Sequence, residues 1–262
     1  MNIKPITAVI WLAALLSAAP VAASSNWQLS AGIATQTAPL YQGSAEQELY
    51  LFPAIAAVYP LADGSRLYAG TVEGLGAEAN WQQRTAGVAL GYRNGLRGAE
   101  KFGLLQDQPA MLEGLLDPGG TAILKPYVST LWPHWNARLE YERGLAQDNQ
   151  GALLRLQLSY SQAPAPRFGW NTGLQASWAD KHYMDDYFGV SGAEVRPERS
   201  AYQGQAGLLQ FGIFAQLQVQ SQPQQRWLLS VALHQLADEL DGSTLVQQQR
   251  QAELTLAYLW LF

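Results

Sequence analysis

The chain has 262 residues, a formal net charge of −5, only 14% charged residues and no cysteine. That composition excludes a disulfide framework, thiol catalysis, a thiolate metal site and cysteine acylation. It also offers no basic stripe for nucleic acid. Abundant Gln, Gly and aromatic residues suit a wall with one polar and one apolar face.

Met1 to Ala23 opens with a basic start at Lys4, continues through an apolar run from Ile6 to Leu16, and ends on Ser17-Ala18-Ala19-Pro20-Val21-Ala22-Ala23. This is the three-part layout of a secretory signal peptide. Val21 and Ala23 suit the −3 and −1 positions. Residues 1–23 are therefore expected to be removed, and 24–262 to form one domain. The apolar run is too short to span a bilayer as a helix, and after Ala23 no stretch approaches about 18 uninterrupted apolar residues.

From Trp27 onward the hydrophobicity alternates with period two. Trp27, Leu29, Ala31 and Ile33 share one face; Gln28, Ser30, Gly32 and Ala34 share the other. The same alternation runs through 135–142, 152–160, 168–178, 209–220 and 227–234. Strands are expected over 27–37, 47–59, 66–72, 75–81, 84–93, 120–132, 135–146, 151–161, 168–180, 203–219, 226–236 and 248–262. Many exceed the about 5–6 residues usual in globular sheets and match the about 9–11 of a tilted membrane strand. Tight turns are expected at Leu61-Ala62-Asp63-Gly64, Trp132-Pro133-His134, Ala163-Pro164-Ala165-Pro166 and Ser221-Gln222-Pro223-Gln224, where proline cannot extend a ladder. Longer connections fall at 41–47, 94–118, 181–202 and 237–246, with a shorter one at 147–151.

The last segment, Glu253 to Phe262, places Leu254, Leu256, Tyr258, Trp260 and Phe262 on one wholly apolar face that turns aromatic toward the end. Lipid suits that face, with aromatics at the membrane–water interface. The ending resembles the C-terminal assembly signal of bacterial outer-membrane barrels, carried here by Tyr258, Trp260 and Phe262. The expected fold is all-β: a transmembrane, antiparallel, up-and-down β-barrel of about twelve strands, with ten as the alternative because Gly70, Gly74, Gly76, Gly87 and Gly91 leave the count in 66–93 open. Short turns and both termini would then be periplasmic, the long loops extracellular, and the location the outer membrane of a Gram-negative bacterium.

The chain resembles the MipA/OmpV family, the MltA-interacting outer-membrane proteins, across essentially its whole mature length. The residues that carry the resemblance are Tyr41-Gln42-Gly43-Ser44 with Tyr50-Leu51-Phe52-Pro53, Met111 to Asp117, and Leu236-Ala237-Asp238 to Leu245-Val246. Most specific is Tyr187-Phe188-Gly189-Val190-Ser191, flanked by Trp178-Ala179-Asp180, Tyr183 and Ala201-Tyr202. The resemblance implies a noncatalytic scaffold joining a murein lytic transglycosylase to a bifunctional penicillin-binding protein. It implies no catalytic residue and no cofactor. A narrow channel for small solutes or antibiotics and a surface adhesin acting through its loops are the alternatives. Outer-membrane lipid and lipopolysaccharide are the expected surroundings.

Candidate chemistry is sparse. His134 falls in a proline-bounded turn, His182 in a long loop, and His234 faces the lumen four residues from Ser230. At about 3.3 Å per residue that spacing is too long for a hydrogen bond, so no Ser–His pair is apparent. Asp180, His182, Asp185 and Asp186 match no dedicated calcium loop and read as a polar loop at the lipopolysaccharide surface. Lys101, Arg196 and Arg199 read as solvated loop charges. Arg138, Glu140, Glu142 and Arg155 have inward parity on adjacent strands. They form either a constriction that selects solutes or an ion network that fills a narrow barrel.

Overall fold

The computed structural model describes residues 27–95, 110–116, 118–147 and 151–262. The expected signal peptide, 1–23, and Lys101 lie outside them. Twelve strands are formed: β1 (Gln28–Pro39), β2 (Gln47–Pro60), β3 (Arg66–Gly70), β4 (Gly74–Trp81), β5 (Arg84–Arg93), β6 (Thr121–Leu131), β7 (Trp135–Gly144), β8 (Ala152–Ala165), β9 (Phe168–Ala179), β10 (Gly207–Gln222), β11 (Gln225–Leu236) and β12 (Arg250–Leu261). Each pairs antiparallel with its neighbour in sequence. β1 closes onto β12, with Ser30 opposite Leu261 and Thr37 opposite Leu254. Closure leaves no terminal edge strand, which a sheet in hydrocarbon requires. The region 66–93 makes three strands, so the count is twelve rather than ten.

The facing follows the period-two pattern. Leu254 and Leu256 of β12, Leu156 of β8 and Ile213 of β10 are exposed on the outside, while Thr255, Gln157 and Gln216 are buried in the lumen. One end of the barrel carries the short turns and the C-terminal Phe262; we call it the turn end. A girdle of rings surrounds it, in which Trp27 contacts Tyr59 (5.2 Å between ring centroids), Trp135 contacts Tyr160 (5.0 Å), and Trp227 contacts Tyr258 (4.8 Å). Amphipathic rings of this kind sit at a membrane–water boundary.

The opposite, loop end is filled by folded connections. The short helix α1 (Lys181–Phe188) starts at Asp180, whose carboxylate accepts the Tyr183 N–H, a capping bond that stabilises the first turn. Two 3-10 turns, Ala110–Leu112 and Asp238–Gly242, complete this layer. Leu40, Leu112, Leu153, Met184, Phe188, Leu209, Leu236, Leu240 and Leu245 pack there into one buried cluster. A second, smaller cluster lies in the lumen and joins Tyr50, Phe52 and Ala54 of β2 to Leu228, Ala257 and Leu259.

Several boundaries differ from those read in the sequence. β10 begins at Gly207 rather than 203. β8 runs on to Ala165, through the expected turn at Ala163-Pro164-Ala165-Pro166. Its ladder with β9 shifts register between Gln162 and Ala165, so Pro164 sits where no regular bond is lost. Residues 181–188 are helical rather than loop. Gly76 of β4 and Gly87 of β5 have a packing reason: a Cβ on either would stand 2.4 Å from the inward ring of Tyr68 or Tyr127.

Candidate functional site

The inward faces of β3 to β8 carry a continuous run of paired charges beneath the packed layer of the loop end, which we call the cap. At its upper end Arg93 of β5 lies under the stacked rings of Tyr183 and Tyr187, which are 4.4 Å apart on successive turns of α1. Arg93 Nη2 donates to the Gly151 carbonyl (2.8 Å), and Nη1 pairs with Glu142 of β7 (3.1 Å). The other Glu142 oxygen pairs with Arg155 of β8 (2.5 Å), which also approaches Glu140 (3.4 Å). Glu140 in turn holds Arg138 (2.8 Å). The Arg138 guanidinium lies 3.6 Å from the centre of the Tyr127 ring, and the Tyr127 hydroxyl donates to Glu78 (2.6 Å). Glu78 ends the run on Arg66 (2.7 Å), its cross-strand partner on β3.

The structure therefore brings together all four residues singled out in the sequence: Arg138, Glu140, Glu142 and Arg155. It adds Arg93, Arg66, Glu78 and Tyr127, which the sequence reading missed. Inward parity on β5 and the Arg66–Glu78 opposition across a hairpin were signals that could have found them. Side-chain exposure is 1% for Glu142 and 5% for Glu140 but 16% for Arg155 and 19% for Arg138, so the carboxylates are enclosed while two of the guanidinium groups stay partly open to the lumen. The opposite wall is lined by amides: Gln36 donates to Glu253 (3.2 Å), and Gln175 contacts His234 Nδ1 (3.0 Å).

The cap is stapled by Arg199, which is 1% exposed. It donates to the carbonyls of Met111 (2.7 Å) and Glu194 (2.8 Å) and so ties the Ala110–Leu112 turn to the chain beyond α1. Burial pushes the Glu194 carboxyl up, but the N–H groups of Leu116 and Ser191 and the Ser191 hydroxyl outweigh it, and the group stays below the usual carboxylate range. Arg199 is thus an internal staple, not the solvated charge expected. Arg196 remains outside, 3.9 Å from Glu113. The motif Tyr187-Phe188-Gly189-Val190-Ser191 is also internal: Phe188 is fully buried, Gly189 closes the helix on the Asp185 carbonyl, and Val190 bridges to Tyr202.

The acidic stretch is part of this packed layer rather than a polar surface loop. Asp180 caps α1; Asp185 accepts the Gly204 N–H (2.8 Å) and pairs with Lys181 (2.5 Å). Burial pushes the Asp186 carboxyl up to about 6. Among the described residues no three His, Cys, Asp or Glu side chains converge as metal ligands do. His134 packs beside Tyr160 at the turn end, His182 lies on α1, and His234 contacts an amide.

A closed antiparallel barrel with an apolar outer wall, a ringed interface and a polar lumen defines the chain as an outer-membrane β-barrel protein. It belongs to the family described as MltA-interacting protein MipA, matched over residues 31–262. Among solved structures the chain is similar to an outer-membrane channel from Pseudomonas putida F1, at 12% identity and a TM-score of 0.49 over 92% of this chain and 97% of that one. It is also similar to OmpT of Vibrio cholerae, at 6% identity and 0.38 over 93% and 100%. Neisserial surface protein A gives 11% identity and 0.25 over 90% and 97%. These likenesses concern architecture alone. No protein of curated function matches the chain.

Proposed function

We propose that this barrel is a docking platform for peptidoglycan-remodelling enzymes, a lytic transglycosylase first and a bifunctional penicillin-binding protein with it. In this reading the turn end and both termini face the periplasm, and the cap faces outward. The observation that carries it is the packed loop end. Phe188, Leu236 and Leu245 at 0% exposure and Arg199 at 1% make a built layer, and the Arg and Glu side chains from Arg93 to Arg138 beneath it pair with one another. A barrel made in this way invests its polar groups in rigidity rather than in a path for solutes. The family description supplies the partner class.

The same ion run is what favours the second reading, a narrow channel, because fixed charges bias a permeating ion. One experiment separates the two. Photo-reactive side chains placed at His134 and Gln224, in the turns of the turn end, should capture a lytic transglycosylase in intact envelopes, while the same group at Arg196 in the cap should not. Equal capture at both ends, or none at the turn end, contradicts the docking reading.

A further inference from the structure

Among the described residues the barrel wall has a gap. β3 and β4 are only 5 and 8 residues long, against 14 for β2. β2 pairs with β3 from Pro60 as far as Ala56, opposite Gly70, and the chain then turns back at Thr71–Glu73. Among the described residues no strand pairs with the remaining length of β2, Gln47 to Ile55, on that side. The outward residues bordering the gap are Leu51 and Ile55 on β2 and Leu75 and Leu90 on β4 and β5, all exposed. The gap therefore opens at the level of hydrocarbon.

An unpaired edge in lipid is costly unless its polar groups are answered, and this edge is prepared to stand alone. Ile55 gives its N–H to the Thr71 hydroxyl (3.2 Å), and its carbonyl accepts the Thr71 N–H (2.9 Å). Its groups thus point to the gap, and by the two-residue period so do those of Pro53, Leu51 and Leu49. Pro53 has no N–H. The Leu49 N–H is taken by the Glu48 carboxylate (3.0 Å). Three of these four positions hold no idle donor, so the edge is a poor template for an added strand from a second copy.

Behind the gap the lumen carries an apolar patch flanked by the carboxylates of Glu48 on β2 and Glu73 on the turn. Tyr50, Phe52 and Ala54 face inward from β2 beside Leu259, and Val72 of the turn packs against them. A small cavity of about 20 Å³ lies there, bordered by Ala54, Gly70, Val72, Glu73 and Leu259. It has room for about one water, so a larger guest must displace the Val72 side chain.

We propose that the gap between β2 and β5 is a lateral portal through which the apolar chain of a bilayer amphiphile reaches the lumen patch of Tyr50, Phe52 and Leu259. This inference needs only the barrel in a membrane and does not rest on the docking reading. The test uses the full-length folded protein in vesicles of phosphatidylcholine that carries a photo-reactive group at an acyl-chain end, with adducts mapped by mass spectrometry. Adducts are expected on Tyr50, Phe52 or Val72 as well as on outward Leu51 and Leu90. Val72→Ala should raise the lumen adducts at least twofold, and Ala54→Leu should lower them at least fivefold while the outward adducts persist. If Ala54→Leu does not fold, Ala54→Val takes its place. Adducts confined to outward residues in both the parent chain and Val72→Ala overturn the proposal, as do lumen adducts that ignore the change at Ala54.

Discussion

At the scale of single residues, Glu142 decides how the lumen is read. It binds both Arg93 and Arg155 at 1% exposure, and removing its charge leaves two guanidinium groups facing each other. Glu142→Gln should cost about 3 kcal/mol, the low end for leaving a buried charge unpaired, measured as a shift of the urea midpoint in liposomes. A change below about 0.5 kcal/mol would mean that the lumen is wet enough to screen the pair. Asp186 gives a second test. Burial raises its folded pKa to about 6, above the ordinary value of 3.8, with Arg93 and His182 opposing the rise and Asp180 and Asp185 adding to it. A raised folded pKa means that the folded cap binds the proton more tightly than the unfolded chain. Stability is therefore gained as pH falls through 6 and withheld above it. Amide exchange in α1, corrected for its intrinsic rate, should slow between pH 7 and pH 5. Asp186→Asn should give the slow rate at both values.

The sequence showed four members of the ion run because period two assigns each an inward face and neighbouring strands place them side by side. It did not show Arg93 under the tyrosine pair, because that contact depends on where α1 docks. Arg199 was unreadable for the same reason: its partners are backbone carbonyls, which leave no trace in residue type.

At the scale of elements, strands were legible and the cap was not. Lipid on one side and a polar interior on the other impose alternation along every long strand, and the structure keeps that facing. Ile213→Lys, outward at 52% exposure, should cost about 2–4 kcal/mol near the midplane. Gln218→Lys, five residues along and on the inward face, should cost less than half as much, by the same titration. Equal losses would mean that the facing of β10 is wrong. The closing strand makes a related prediction. Phe262 donates its N–H to the Leu29 carbonyl across the β1–β12 seam, and Tyr258 belongs to the outer girdle. Deleting Phe262, or changing Tyr258 and Phe262 to Ser, should lower the heat-modifiable folded protein in outer-membrane fractions. An unchanged yield would remove the assembly role from this ending.

Helix α1 escaped the sequence reading because eight residues offer about two turns, too short a run for a helical period to stand out. Its fold is set by tertiary packing of Tyr183, Met184, Tyr187 and Phe188 and by the Asp180 cap. The extension of β8 past Pro164 escaped for a different reason. A proline normally ends a ladder, and only the local register shift makes room for it.

At the scale of the molecule, the parts form a barrel with two unlike halves. Arg66, Glu78, Arg93, Arg138, Glu140, Glu142 and Arg155 on β3 to β8 are paired with one another; amides, apolar groups and the carboxylates of Glu48 and Glu253 line the rest; the loop end is a packed layer held by Arg199 and α1. Fold class, strand number and family were readable from the chain, because the membrane enforces regularity over its whole length. The packed layer at the loop end was not readable, because it arises among loops whose contacts are long-range. That layer should close the mouth, and conductance of the purified, folded protein in planar bilayers tests this most directly. No resolved steps are expected with the parent chain, and steps are expected once Arg199→Ala and deletion of 181–188 dismantle the cap. Stable, regular steps from the parent chain, with an ion preference altered by Glu140→Gln and Glu142→Gln, would contradict it and establish the channel instead.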